Sequence, residues 1–79
     1  HSEAGRAEDM TYLVVIEPTA TGFSAYSPDL DGCVATGSTL DEVQAHIQEA
    51  IAFHVEGLRA EGLEVPAPRT QAAFIDVAA

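Results

Sequence analysis

The stretch Tyr26 to Val43, YSPDLDGCVATGSTLDEV, holds the densest set of chemically capable side chains in the sequence. Asp29, Asp31 and Cys33, the chain's one cysteine, fall within five positions around Gly32. Three chemistries could use them: a cation loop, a carboxylate pair, or a thiol nucleophile. A twelve-residue calcium loop needs glycine at its sixth position and glutamate at its twelfth. Counted from Asp29, Val34 and Leu40 stand there, so the loop pattern fails. Asp29 and Asp31 flank a turn bounded by Pro28 and Gly32, where aspartates serve by accepting from nearby backbone amides. Nothing adjacent supplies a base or an oxyanion donor. Cys33 has acidic rather than basic neighbours, which does not lower a thiol pKa. A cysteine opening an apolar strand reads as a small core residue. His46 and His54 are eight apart, not at the four-residue spacing that lets two helical histidines share a metal. They read as a surface and a partly buried histidine. The cluster is therefore expected to be a turn, with no catalytic, cofactor or metal residues.

The elements around it follow from periodicity. Thr11 to Glu17, TYLVVIE, is rich in β-branched and aromatic residues and predicts a strand. Tyr12, Val14 and Ile16 share one face, Leu13 and Val15 the other. Both faces are apolar, which implies a central strand, or one covered by a helix and a partner chain. Pro18 to Gly22 punctuates the chain, and Phe23 to Ser27 returns as the second arm of a hairpin. Cys33 to Gly37 is a third short strand. Thr39 and Glu42 form a capping box, with Glu42 expected to reach back to the Thr39 amide. The apolar stripe Leu40, Val43, Ile47, Ala50, Ile51, His54 and Leu58 predicts a helix over about 40–61. Gly62 suits the left-handed position after it, with Leu58 and Leu63 as the pair across a Schellman cap. Gly57 inside the helix is explained by close approach to a strand. Ala72 to Ala78 predicts a last strand. The fold class is α+β: β-β-β-α-β, an antiparallel three- to four-stranded sheet with one long helix on one face.

Residues 1–9, HSEAGRAED, lack periodicity and read as a frayed tail, a processed leader or a tag remnant. Residues 10–79 read as one domain. A chain of 79 residues buries only roughly 60% of its unfolded surface. A small core and a surplus apolar sheet face both predict a homo-oligomer, a dimer or tetramer. Thirteen acidic residues against three arginines give a net charge of −10. That balance argues against direct nucleic-acid binding, which needs Lys and Arg on phosphates. It suits a basic partner or a well-solvated surface. No apolar run spans a bilayer, and no signal-peptide pattern is present, so a cytoplasmic location is expected.

The ordered set of motifs resembles the HicB-like antitoxin family. It comprises the aromatic strand Phe23 to Ser27, the turn Pro28 to Cys33, the short strand Val34 to Gly37, the helix start Thr39 to Glu42, and Gly62-x-x-x-Pro66-x-Pro68. The similarity covers about Tyr12 to Pro68. Asp31 stands where that family usually has proline. The resemblance implies a partial ribonuclease-H-like fold without the full acidic catalytic set. It also implies a partner: a small basic HicA-like toxin that cleaves mRNA with a histidine and is neutralised when the antitoxin covers its active site. Many members carry a C-terminal DNA-binding module; the sequence ends at Ala79 with no room for one, so a truncated or stand-alone domain is expected. Asp29, Leu30, Asp31, Glu42 and Glu49 are the expected partner-binding residues. The alternatives are a homo-oligomeric regulator without a toxin, and a minimal nuclease whose metal would need Glu17, Asp29, Asp31 and Asp76 to converge.

Overall fold

A computed structural model describes residues 10–78. The expectations for residues 1–9 lie outside the described residues. The elements run β1 (Val15–Thr19), β2 (Gly22–Tyr26), β3 (Val34–Gly37) and α1 (Leu40–Ala60). The strands form one antiparallel sheet in the order β1-β2-β3. Its register sets Val15 opposite Tyr26 opposite Val34, and Ile16 opposite Ala25 opposite Ala35. The helix lies on the face carrying the second row.

Side-chain alternation decides which face that is. Ala25 is buried, and Ile16, Phe23 and Ala35 pack against it from the same face. The helix answers with Val43 and Ile47, both buried, and with half-buried Ala50, Ile51 and Val55. Burying a side chain of this size contributes roughly 1.5–3 kcal/mol. The opposite face leaves Tyr26 and Val34 exposed.

The helix boundaries have local causes. The Thr39 side chain accepts from the Glu42 amide at 3.1 Å. The Glu42 carboxylate reaches one residue further back than a standard capping box, to the Ser38 amide at 2.6 Å. Asp41 and Glu42 sit at the positive end of the helix dipole. At the other end the Leu63 amide donates to the Leu58 carbonyl at 2.9 Å, and the Gly62 amide to the Arg59 carbonyl at 3.0 Å. With Gly62 at φ 72°, this is the Schellman geometry. Thr39→Ala removes the acceptor at the cap and is expected to lower stability by about 1 kcal/mol. Chemical denaturation with an unchanged m-value would show it.

Four expectations are corrected. β1 lies four residues later at its start than predicted and sits at a sheet edge, not in the centre. The hairpin turn at Ala20 and Thr21 sets its register, and that places Pro18 opposite Phe23. Proline breaks central strands but is accepted on an edge. The second correction is at Ala72 to Ala78, where no strand forms over the described residues 72–78. The third is Gly57, whose Cβ position faces open space, so no strand approaches it. Leu40 is the fourth: it opens the helix, before the stripe reaches the sheet, and is exposed.

Candidate functional site

The turn between β2 and β3 is two successive β-turns. The Leu30 amide donates to the Ser27 carbonyl at 3.2 Å, and the Cys33 amide to the Leu30 carbonyl at 3.3 Å. Gly32, at φ 74°, takes the left-handed place that a type II turn demands. Ser27 is buried, and its hydroxyl donates to the Leu13 carbonyl at 3.1 Å. That bond ties the turn to the segment before β1.

The five expected partner-binding residues separate in space. Leu30 is 1% exposed and belongs to the core. Its side chain folds under the turn and offers no docking surface, because an apolar residue between two aspartates is the part of the loop that water rejects. Asp29 is engaged within the chain. Its carboxylate accepts from the Arg69 amide at 3.0 Å, the Thr70 amide at 3.1 Å and the Thr70 hydroxyl at 2.7 Å. Asp31 is exposed beside it. Glu42 and Glu49 are exposed on the helix, Glu42 with one carboxylate oxygen on the Ser38 amide. Cys33 is a core residue, and burial pushes its thiol pKa up, away from nucleophilic use. Exposed His46 places Nδ1 2.7 Å from the Thr36 carbonyl, which binds the helix flank to β3 and requires a proton on that nitrogen. His54 is half-buried. Among the described residues no three of His, Cys, Asp and Glu are grouped to hold a metal; Glu17, Asp29, Asp31 and Asp76 do not make such a set.

The Asp29 contacts make the tail anchor pH-sensitive. The Thr70 amide, the Thr70 hydroxyl and the Arg69 amide hold the Asp29 carboxyl below the usual carboxylate range. A depressed pKa in the docked state means that the anchor is fully present above the unperturbed value of about 3.9. It is lost as pH falls through the depressed one. Acid titration followed by NMR is expected to release the Arg69 and Thr70 amides while the helix amides stay put; simultaneous loss of both would refute a local anchor.

The acidic line on the helix was expected from the sequence, but the exposed aromatic within it, Phe53, was not. Glu42, Glu49 and Glu56 are seven apart, which stacks them along one line of an α-helix. All are exposed. Phe53 sits between Glu49 and Glu56 at helical-neighbour spacing and is 79% exposed. A large aromatic on the polar side of an amphipathic helix was the available signal: its phase does not match the stripe of Val43 and Ile47.

Residues 12–78 match the family model described as HicB_like antitoxin of bacterial toxin-antitoxin system. The chain belongs to the HicB-like antitoxin family. A similar relative is an uncharacterised 14.9 kDa protein from the rep-hol intergenic region of Haemophilus phage HP1, 39% identical over 57 residues, 72% of this chain and 43% of that protein. A UPF0150 protein of Synechocystis sp. is 39% identical over 56 residues, 70% of this chain and 71% of that one. Among solved structures, a HicA3 and HicB3 toxin-antitoxin complex is similar with a TM-score of 0.65 and 38% identity. That match covers 76% of this chain and 70% of the matched one. The antitoxin HicB3 crystal structure gives a TM-score of 0.64 at 38% identity, covering 76% of this chain but 44% of that one. The chain thus spans less than half the length of the phage protein and of HicB3 as crystallised. The α+β architecture of this HicB-like chain, three antiparallel strands and one long helix, is that of HicB antitoxin structures. No described helix is long and apolar enough to cross a membrane.

Proposed function

We propose that this chain is the toxin-binding part of an antitoxin: it docks on a small basic, mRNA-cleaving toxin and covers the toxin's active site, without catalysing a reaction itself. The observation that carries this reading is the helix stripe Glu42, Glu49, Phe53 and Glu56, three exposed carboxylates around one exposed aromatic. A basic surface meets complementary charge there, which speeds encounter and fixes orientation. Phe53 supplies the apolar anchor that a charged rim alone lacks; an arginine of the toxin can stack on its ring. The acid of the whole chain, net −10, steers the approach over a longer range. The similarity to the HicB3 chain of a HicA3–HicB3 complex supports the same partner class. A toxin that cuts mRNA places the pair in the cytoplasm.

Glu49 and Glu56 are better probes than Glu42, because reversing Glu42 also disrupts the helix cap. Glu49→Lys with Glu56→Lys is expected to weaken binding to a HicA-like toxin by about tenfold or more, through the on-rate. Phe53→Ala is expected to weaken it at least as much, through the off-rate. Surface plasmon resonance at two salt concentrations reads both. Unchanged affinity in both variants would sink the helix-stripe reading. Binding that survives them but fails in Asp31→Lys would move the interface to the β2–β3 turn.

A further inference from the structure

Two segments with strong strand character stay outside the sheet. Thr11 to Val14 runs up to β1 yet has no strand beside it, since β2 ends at Tyr26 opposite Val15. Residues 72–77, AAFIDV, are unpaired, with Phe74 101%, Ile75 77% and Val77 79% exposed. Water-facing apolar residues in strand-type sequence, next to an open sheet edge, are the liability that folded proteins cover. We infer that each covers the other between two copies: the tail Ala72–Val77 of one chain adds as a fourth strand along the β1 edge, Thr11 to Ile16, of a second copy.

Three features favour a second copy as the occupant. First, the tail is not loose at its base. Asp29 holds the Arg69 and Thr70 backbone at the turn end of β2, and the Tyr12 hydroxyl donates to the Pro66 carbonyl at 2.5 Å. Beyond that double anchor the segment leaves its own sheet. Second, the β1 edge has a place for it. A groove of about 440 Å³ runs between this edge and the helix, lined by Tyr12, Val14, Ile16, Ile47 and Ile51 among others. Strand alternation puts Ile75 and Val77 on one face, which is the face that would fill that groove. Phe74 would then turn to the side of Leu13 and Val15. Third, the tail's only charge over these residues is Asp76, so a chain of net −10 pairs here through a segment with little charge to repel a second copy. Added-strand docking gains backbone hydrogen bonds along the edge and pockets for alternate side chains. Reciprocal exchange closes the assembly with two-fold symmetry and leaves no free copy of either segment. The groove is flanked by Gln44 and Gln48, on the opposite flank of the helix from the Glu42 to Glu56 line, so both surfaces can be occupied together.

The test needs no toxin and is therefore independent of the toxin-binding reading. Sedimentation velocity of the full chain over a concentration series is expected to show a species of twice the 8.3 kDa chain mass. Hydrogen exchange is expected to protect the amides of 11–14 and 72–77 only in that species. Ile75→Asp with Val77→Asp is expected to raise the dimer dissociation constant by about 30-fold or more. Both side chains are exposed in the single chain, so its circular dichroism should stay unchanged. A chain that remains monomeric throughout the series overturns the inference. So does a dimer that tolerates the double substitution, and so does tail protection in the monomer, which would mean a fourth strand on the chain's own sheet.

Discussion

Gly37→Ala is expected to destabilise the domain by about 3 kcal/mol or more. A Cβ on residue 37 would lie 2.6 Å from the Val43 nitrogen and 2.9 Å from its Cα. Both are backbone atoms of the first helical turn, and the Val43 amide is committed to the Thr39 carbonyl at 3.0 Å. Neither can swing aside as a side chain would. The helix would have to lift from the end of β3, and with it Val43, which is fully buried. A domain of this size holds only roughly 5–10 kcal/mol of net stability. The control is the same substitution elsewhere. Gly57→Ala meets nothing within 4 Å, and is expected to stabilise by about 1 kcal/mol through helix propensity alone. Thermal denaturation of both variants decides. Two glycines changed identically should move the midpoint in opposite directions; a shared sign would show that close approach at Gly37 is not what limits the sequence.

Leu30→Ala is expected to cost about 2–5 kcal/mol, a share of the total large enough to populate unfolded chains at 37 °C. Leu30 is among the largest fully buried side chains, and it lies in a loop rather than in an element. It belongs to one buried cluster with Ala25 and Cys33 and with Val43 and Ile47 of the helix. Asp31→Ala, one residue on and exposed, is expected to change stability by less than about 0.5 kcal/mol. Urea midpoints for the pair separate a structural loop from a recognition loop. If Leu30→Ala proved neutral while abolishing toxin binding, the loop would be a contact surface after all.

These two residues show where sequence reasoning reached and where it stopped. The helix was legible almost to the residue, because its signals are local: a threonine cap, acids in the first turn, a 3.6-residue stripe, and a glycine at the left-handed exit. β2 and β3 were legible for the same reason, bounded by Gly22, Pro28 and Gly37. The turn was legible as a turn, but the inward aim of Leu30 was not, since no periodicity runs through a loop. β1 was misplaced because Pro18 reads as a breaker until an edge position is known. The tail at 72–77 carries strand-forming residues, and its sequence says nothing of which edge, or whose, would pair with it. Gly37 and Gly57 look alike in the sequence; only the distance to Val43 separates them. Phe53 was missed because an exposed aromatic is anomalous only against an established core face.

The acidic helix face is the proposed site of toxin recognition. Hydrogen-exchange mass spectrometry of this chain, free and mixed with a HicA-like toxin, is the decisive test. New protection is expected in peptides spanning Glu42 to Glu56, with the β2–β3 turn little changed. Protection confined to the turn or to the β1 edge, with the helix face unaltered, would contradict it.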